Sequence, residues 1–265
     1  MDLGFAGAAT VVVGGGRGMG FATAQCLADD GARVAIVGRS PEVLDEAAAD
    51  LARRGSPDAV AVVADIGDDA AVQRVFADLA QRWDGEINAL INTVGPGAAG
   101  NFEELTDQQW QQAFDDGLMG MVRCVRAALP LLRQAEWARI VNFSAHSTQR
   151  QSTRLPAYTA AKAALTSVSK NLSLQLAPDE IMVNVVSPGS ISSEALLGWA
   201  QSVGVDGNDP YALMAAIDEH FGHPAHLPRA GLPGEIAPVA AFLASKRNSY
   251  MTGANINVDG GSDFT

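Results

Sequence analysis

Ala8-Ala9-Thr10-Val11-Val12-Val13-Gly14-Gly15-Gly16-Arg17-Gly18-Met19-Gly20 decides how this chain folds. The apolar, β-branched run from Ala8 to Val13 reads as a buried strand, and the residues from Phe21 to Asp30 have helical character. Between them lies a glycine turn. Such a turn needs glycine because the backbone must adopt unusual dihedrals and let a phosphate come close, while the helix start offers free N–H groups and a positive dipole end. Strand, glycine turn and helix at the head of an alternating chain point to a dinucleotide site, with Gly14, Arg17, Gly18, Met19 and Gly20 as candidate cofactor-binding residues.

Outward from this turn the same rhythm repeats. Strands are expected at Arg33 to Val37, Ala59 to Ala64, Ile87 to Val94, Arg139 to Ser144, Ile181 to Ser187 and Asn255 to Val258. Helices are expected from Pro41, from Asp68 to Trp83, from Thr106 to about Gln134, through Tyr158 to near Pro178, and from Gly234 to Ser245. Strand-to-helix alternation implies an α/β fold: a Rossmann-type, doubly wound parallel sheet with helices on both faces. Ligands of such sheets sit at the carboxyl ends of the strands, so Gly14 to Gly20, Gly38 to Ser40, Asp65 with Ile66, and Asn92 to Gly95 should line one crevice. The end of the second strand governs cofactor choice. An acid there binds the ribose 2′-hydroxyl, whereas arginine accommodates a 2′-phosphate. Here Gly38 is followed by Arg39 and Ser40, and Arg17 faces the same place, so NADP(H) is favoured over NAD(H).

Tyr158 and Lys162 stand four apart in Tyr-Thr-Ala-Ala-Lys, which puts both side chains on one face of a helix. An ammonium beside a phenol favours the phenolate and suits proton transfer. The stretch from 194 to 228 breaks the rhythm with Gly, Pro and large apolar residues (Leu196, Leu197, Trp199, Leu213, Met214, Phe221), and is read as a substrate lid.

Composition narrows the function classes. With 265 residues, 48% hydrophobic and 18% charged, the chain is expected to fold as one domain over 1–265 with a substantial core. A net charge of −12 disfavours nucleic acid as a main partner. Cys26 and Cys124 lack metal-ligand spacing and read as buried thiols in a reducing compartment. No apolar run reaches membrane-spanning length and the first residues do not resemble a secretory leader, so a cytoplasmic protein is expected. His220, His223 and His226 read as loop histidines: Pro224 interrupts any helix and no carboxylate completes a metal set.

Taken together, Gly14-x-x-x-Gly18-x-Gly20, Asp65, Asn92 to Gly95, Tyr158-x-x-x-Lys162, Pro188-Gly189 and Val258-Asp259-Gly260-Gly261 resemble the short-chain dehydrogenase/reductase family over essentially the full length. The resemblance implies a seven-stranded sheet, a homotetramer, and hydride transfer between a nicotinamide and a carbonyl carbon. Tyr158 would be the acid or base, and Lys162 would bind the nicotinamide ribose and lower the tyrosine pKa. Ile191 and Ser193 would lie near the carboxamide, with Pro188 and Gly189 beside the cofactor. Three positions depart from the family pattern. Ala145 stands thirteen before Tyr158, where the carbonyl-holding serine is usual, leaving Ser144 as the candidate, Ser147 as runner-up and His146 as a possible donor. Gly117 stands where an asparagine supports a water relay behind the lysine, and Asn92-Thr93-Val94-Gly95 replaces Asn-Asn-Ala-Gly. The expected activity is NADP(H)-dependent interconversion of a ketone and a secondary alcohol on a lipophilic small molecule, steroid-like or 3-oxoacyl. The competing class is a non-catalytic dinucleotide-binding regulator or scaffold on the same fold.

Overall fold

The computed structural model describes residues 2–97, 99–222 and 224–262. Seven parallel strands form one sheet in the order β3-β2-β1-β4-β5-β6-β7. They are β1 (Ala9–Val13), β2 (Arg33–Gly38), β3 (Ala59–Val63), β4 (Ala89–Asn92), β5 (Ala138–Phe143), β6 (Ile181–Pro188) and β7 (Asn255–Val258). The order reverses between β1 and β4, where Val13 pairs with Asn92, so the glycine turn and the Asn92 tip open side by side.

Alternation along β1 divides its residues between two cores. Val11 and Val13 join the layer built with α3 (Asp69–Arg82), α5 (Gly120–Leu132) and α6 (Pro156–Leu176). Val12 packs on the opposite face with α1 (Gly18–Asp29), α2 (Pro41–Arg54) and α9 (Pro233–Ala244). The helices thus cover both faces, and the carboxyl ends of the strands remain the free edge.

The long helix expected from Thr106 is interrupted. α4 (Asp107–Phe114) is capped by Thr106, whose side chain accepts from the Gln109 amide. A π-turn over Asp115–Met119 then separates it from α5. Gly117 lies at the centre of that turn, where a Cβ would come 2.9 Å from Pro96 Cδ and 3.0 Å from Ala161 Cβ. Pro96 and Ala161 therefore fill the space an asparagine would need. The stretch from 194 to 228, read from sequence as a lid, contains α7 (Glu194–Ser202) and α8 (Pro210–Phe221). Leu213, Met214 and Ile217 form a small core of their own with Ala200 and Ala230, and Leu196, Trp199 and Phe221 pack against it. Five of the six large residues expected to line a pocket, all but Leu197, are instead spent on holding the lid together.

Candidate active site

The glycine turn is shaped by close packing. Gly14 has φ +81, and a Cβ on Gly20 would overlap Gly14 O and sit 2.6 Å from Thr93 Oγ1, so no side chain fits there. Arg17, the N-cap residue of α1, makes no side-chain cap, and the first turn contains no acid. That leaves a positive helix end suited to phosphate. Arg39 and Ser40 are exposed at the β2 tip, and Asp65 at the β3 tip accepts from the Gly67 amide at 2.8 Å. Arg17 does not stand free beside Arg39: its Nη1 meets Glu194 Oε1 of the lid at 2.5 Å, a pairing that sequence reasoning missed. Next to this pair lies a cavity of about 770 Å³ lined by Arg17, Gly18, Ser192, Glu194, Gln201 and Asn208, among others.

Tyr158 and Lys162 converge on the β4 tip. A Cβ on Gly95 would lie 3.0 Å from Lys162 Cε and 3.9 Å from Tyr158 Cε2, so the bare backbone at this position seats both side chains. Lys162 is buried and its Nζ donates to Phe143 O at 2.6 Å and Val94 O at 3.1 Å. Burial lowers its pKa to about 8. Burial also pushes the Tyr158 phenol up to about 12. Desolvation is the cause of that rise. Behind the pair, Asn92 Nδ2 donates to Asn142 Oδ1 at 2.8 Å, while the buried Asn92 Oδ1 has no partner among the described residues.

Ser144 sits elsewhere than expected. Its amide continues the β5–β6 ladder to Val186 O at 2.8 Å. Its hydroxyl lies 3.1 Å from Lys162 O and 2.7 Å from Thr166 Oγ1, inside the helix. Ala145 is extended (φ −156, ψ 148), so the extra loop residue that would swing Ser144 to the other face does not form. Ser147 is buried beyond it, with Thr159 Oγ1 donating to its Oγ at 3.5 Å. His146 Nδ1 donates to Pro188 O at 3.1 Å, tying the β5 loop to the β6 end. Gly189 follows Pro188 under the C-terminal turn, Ile191 is buried, and Ser193 caps α7 by accepting from Leu196 N. Ile66 packs against Gly120, and Met19 is partly buried against the α1–α9 core.

Among the described residues, no cluster of three or more His, Cys, Asp or Glu could hold a metal, and no helix is long and apolar enough to cross a membrane. His223 lies outside the described residues, His220 stacks edge-on against Trp199, and His226 packs on Gly261.

Residues 13–263 match the profile of a family described as "Enoyl-(Acyl carrier protein) reductase". The meso-2,3-butanediol dehydrogenase of Serratia marcescens is 32% identical over 252 residues, covering 95% of this chain and 93% of that protein. A 3-oxoacyl-[acyl-carrier-protein] reductase of Chlamydia muridarum is 31% identical over 254 residues, covering 96% of each. The L-sorbose reductase of Gluconobacter frateurii, solved with NADPH and L-sorbose, superposes with a TM-score of 0.92 at 28% identity over 100% of both chains. With its glycine turn, Tyr158–Lys162 pair and seven-stranded sheet, this chain belongs to the short-chain dehydrogenase/reductase family of oxidoreductases.

Proposed function

We propose that the chain reduces a small, polar, hydroxylated ketone to a secondary alcohol with NADPH, Tyr158 giving the proton. The observation carrying this reading is the seating of Tyr158 and Lys162 against Gly95 at the carboxyl edge, beside the glycine turn. When bound, the cofactor supplies the hydride. Tyr158 is protonated at neutral pH and can give its proton to the ketone oxygen; burial raises its pKa to about 12, so effective transfer requires the bound cofactor and substrate to bring that value back toward the working pH. Lys162 would hold the nicotinamide ribose, and Ser147, on the strand-end loop, would hold the ketone oxygen. The glycine turn and the uncapped α1 end suit the pyrophosphate, and Arg39, with Arg17 once released from Glu194, suits the 2′-phosphate.

The lid residues behind a lipophilic substrate pack on one another, whereas every residue from His146 to Arg154 is polar or charged. A polar substrate wall agrees with the sugar and diol substrates in the names of the sorbose reductase and butanediol dehydrogenase relatives. The test is cofactor oxidation against short ketoses, hydroxyketones, steroids and 3-oxoacyl thioesters, with NADPH and NADH. The expected outcome is turnover of a hydroxyketone with NADPH, lost by about 10²–10⁴-fold in Tyr158→Phe. Tight NADPH binding without turnover of any ketone, or unchanged rates in Tyr158→Phe, would sink the reading. Arg39→Asp should shift preference toward NADH.

A further inference from the structure

The β5–α6 loop is joined to two distant segments through one side chain. Arg150 Nη1 donates to Pro224 O and to Ser262 O, each at 3.0 Å, and its Nη2 donates to Gly222 O at 2.8 Å. Gly222 and Pro224 form the exit of the lid after α8, and Ser262 closes the turn that follows β7. One planar fork therefore gathers three carbonyls from two segments that are far apart in sequence, a geometry that lysine cannot reproduce.

Independent contacts lock the same corner. Leu227 N donates to Gly260 O at 2.9 Å, and Asn257 Nδ2 donates to Gln149 Oε1 at 2.9 Å. Gly261 has φ +88, and a Cβ there would lie 2.8 Å from His226 Nδ1, so the C-terminal turn presses directly on the lid exit. The lid entrance is held differently. There Ser192 N donates to Gly231 O and Gly231 N to Ser190 O, each at 2.9 Å, and the side-chain contact is the Arg17–Glu194 pair, largely exposed and of the kind that contributes little. The stretch is therefore tied at its entrance to the backbone at Gly231 and at its exit, through Arg150, to the C-terminal turn.

We propose that Arg150 is a positioning residue for the substrate: it fixes the lid exit and the C-terminal turn to the loop carrying Ser147, and so sets the substrate wall of the reductase site. It acts through Gly222, Pro224 and Ser262 and touches neither cofactor nor reacting atoms. The inference rests on the reductase reading for its kinetic arm only.

Hydrogen exchange and steady-state kinetics on Arg150→Ala and Arg150→Lys test it. In Arg150→Ala, exchange should accelerate over residues 222–230 and 258–262 while β5 stays protected. KM for the ketone should rise by about tenfold, with kcat and NADPH affinity within about threefold. Arg150→Lys should fall between, keeping the charge but losing the fork. Unchanged exchange at both segments would remove the clasp. Faster exchange with an unchanged KM would leave Arg150 a purely structural tie and overturn the positioning role. Loss of NADPH affinity in step with KM would also overturn it. If the parent protein reduces no ketone, the reductase reading fails by itself, and the exchange data still decide the clasp.

Discussion

The two ends of β5 carry similar polar groups and use them in opposite ways. At its start, Arg139 is buried, and it donates through Nε to Asn248 O at 2.6 Å and through Nη1 to Ala138 O at 2.7 Å. Its guanidinium also lies over the Trp137 ring at 5.7 Å. Asn248 in turn donates to Leu243 O, so this corner closes on backbone carbonyls from several elements. At the other end, Lys162 is equally buried, but it reaches the strand tip through carbonyls that flank Tyr158 and Gly95. Nearby, Asn92 Oδ1 has no partner among the described residues. The contrast teaches that burial alone does not mark a functional cation. What distinguishes Lys162 is that it sits at the ligand edge of the sheet beside a second titratable group.

The largest expected effect breaks the closed end. Arg139→Met removes the donor to two buried carbonyls, at about 1–3 kcal/mol for each group left unpaired, so a loss of about 3 kcal/mol is expected. Chemical denaturation should show this, with kcat on the best ketone unchanged. A fall in kcat without a fall in stability would erase the distinction between the two ends.

The open end carries the reverse sign. Lys162 has its pKa lowered from 10.5 to about 8 by burial, so below pH 8 the fold holds a charge that its surroundings disfavour. Between about 8 and 10.5 the unfolded chain binds more protons than the folded one, and stability therefore rises with pH across that window. Tyr158, raised from 10 to about 12, works in the opposite direction only above pH 10. Lys162→Met should thus abolish reduction while making the cofactor-free protein more stable at pH 7, by up to about 3 kcal/mol at 1.4 kcal/mol per pH unit. Melting temperatures from pH 7 to 10 check the sign: the advantage of the variant should shrink as pH rises. A variant less stable than its parent at pH 7 would show that the two carbonyl bonds outweigh desolvation.

The legible parts were those set by local pattern. The strand–glycine–helix at Val13 to Gly20, the alternating strands and the four-residue Tyr158–Lys162 spacing each depend on near neighbours in sequence, and the sheet order follows from connection rules. What escaped depends on contacts between distant residues. Leu213 and Phe221 look like pocket-liners until α7 and α8 fold onto each other. Arg17 looks free until Glu194 arrives from 177 positions away. The rise of the Tyr158 pKa comes from burial by distant parts of the chain, which spacing cannot supply. Gly117 was recognised as a departure, but the ring filling its space belongs to Pro96, on another element.

The smallest effect sharpens the comparison within the β5 tip itself, between two serines three residues apart. Ser144 Oγ donates to Lys162 O and shares a hydrogen bond with Thr166 Oγ1, so Ser144→Ala removes bonds inside the fold and should cost about 1 kcal/mol of stability with little change in kcat/KM. Ser147 lies past the extended Ala145 and is proposed to hold the ketone oxygen, so Ser147→Ala should lower kcat/KM about tenfold or more while its stability loss, from the long 3.5 Å Thr159 bond, stays no larger than that of Ser144→Ala. The ratio of lost activity to lost stability therefore separates the two. If Ser144→Ala is the one that loses activity at constant stability, the side chain must turn away from α6 when substrate binds, and the functional group would be Ser144, three residues before Ser147.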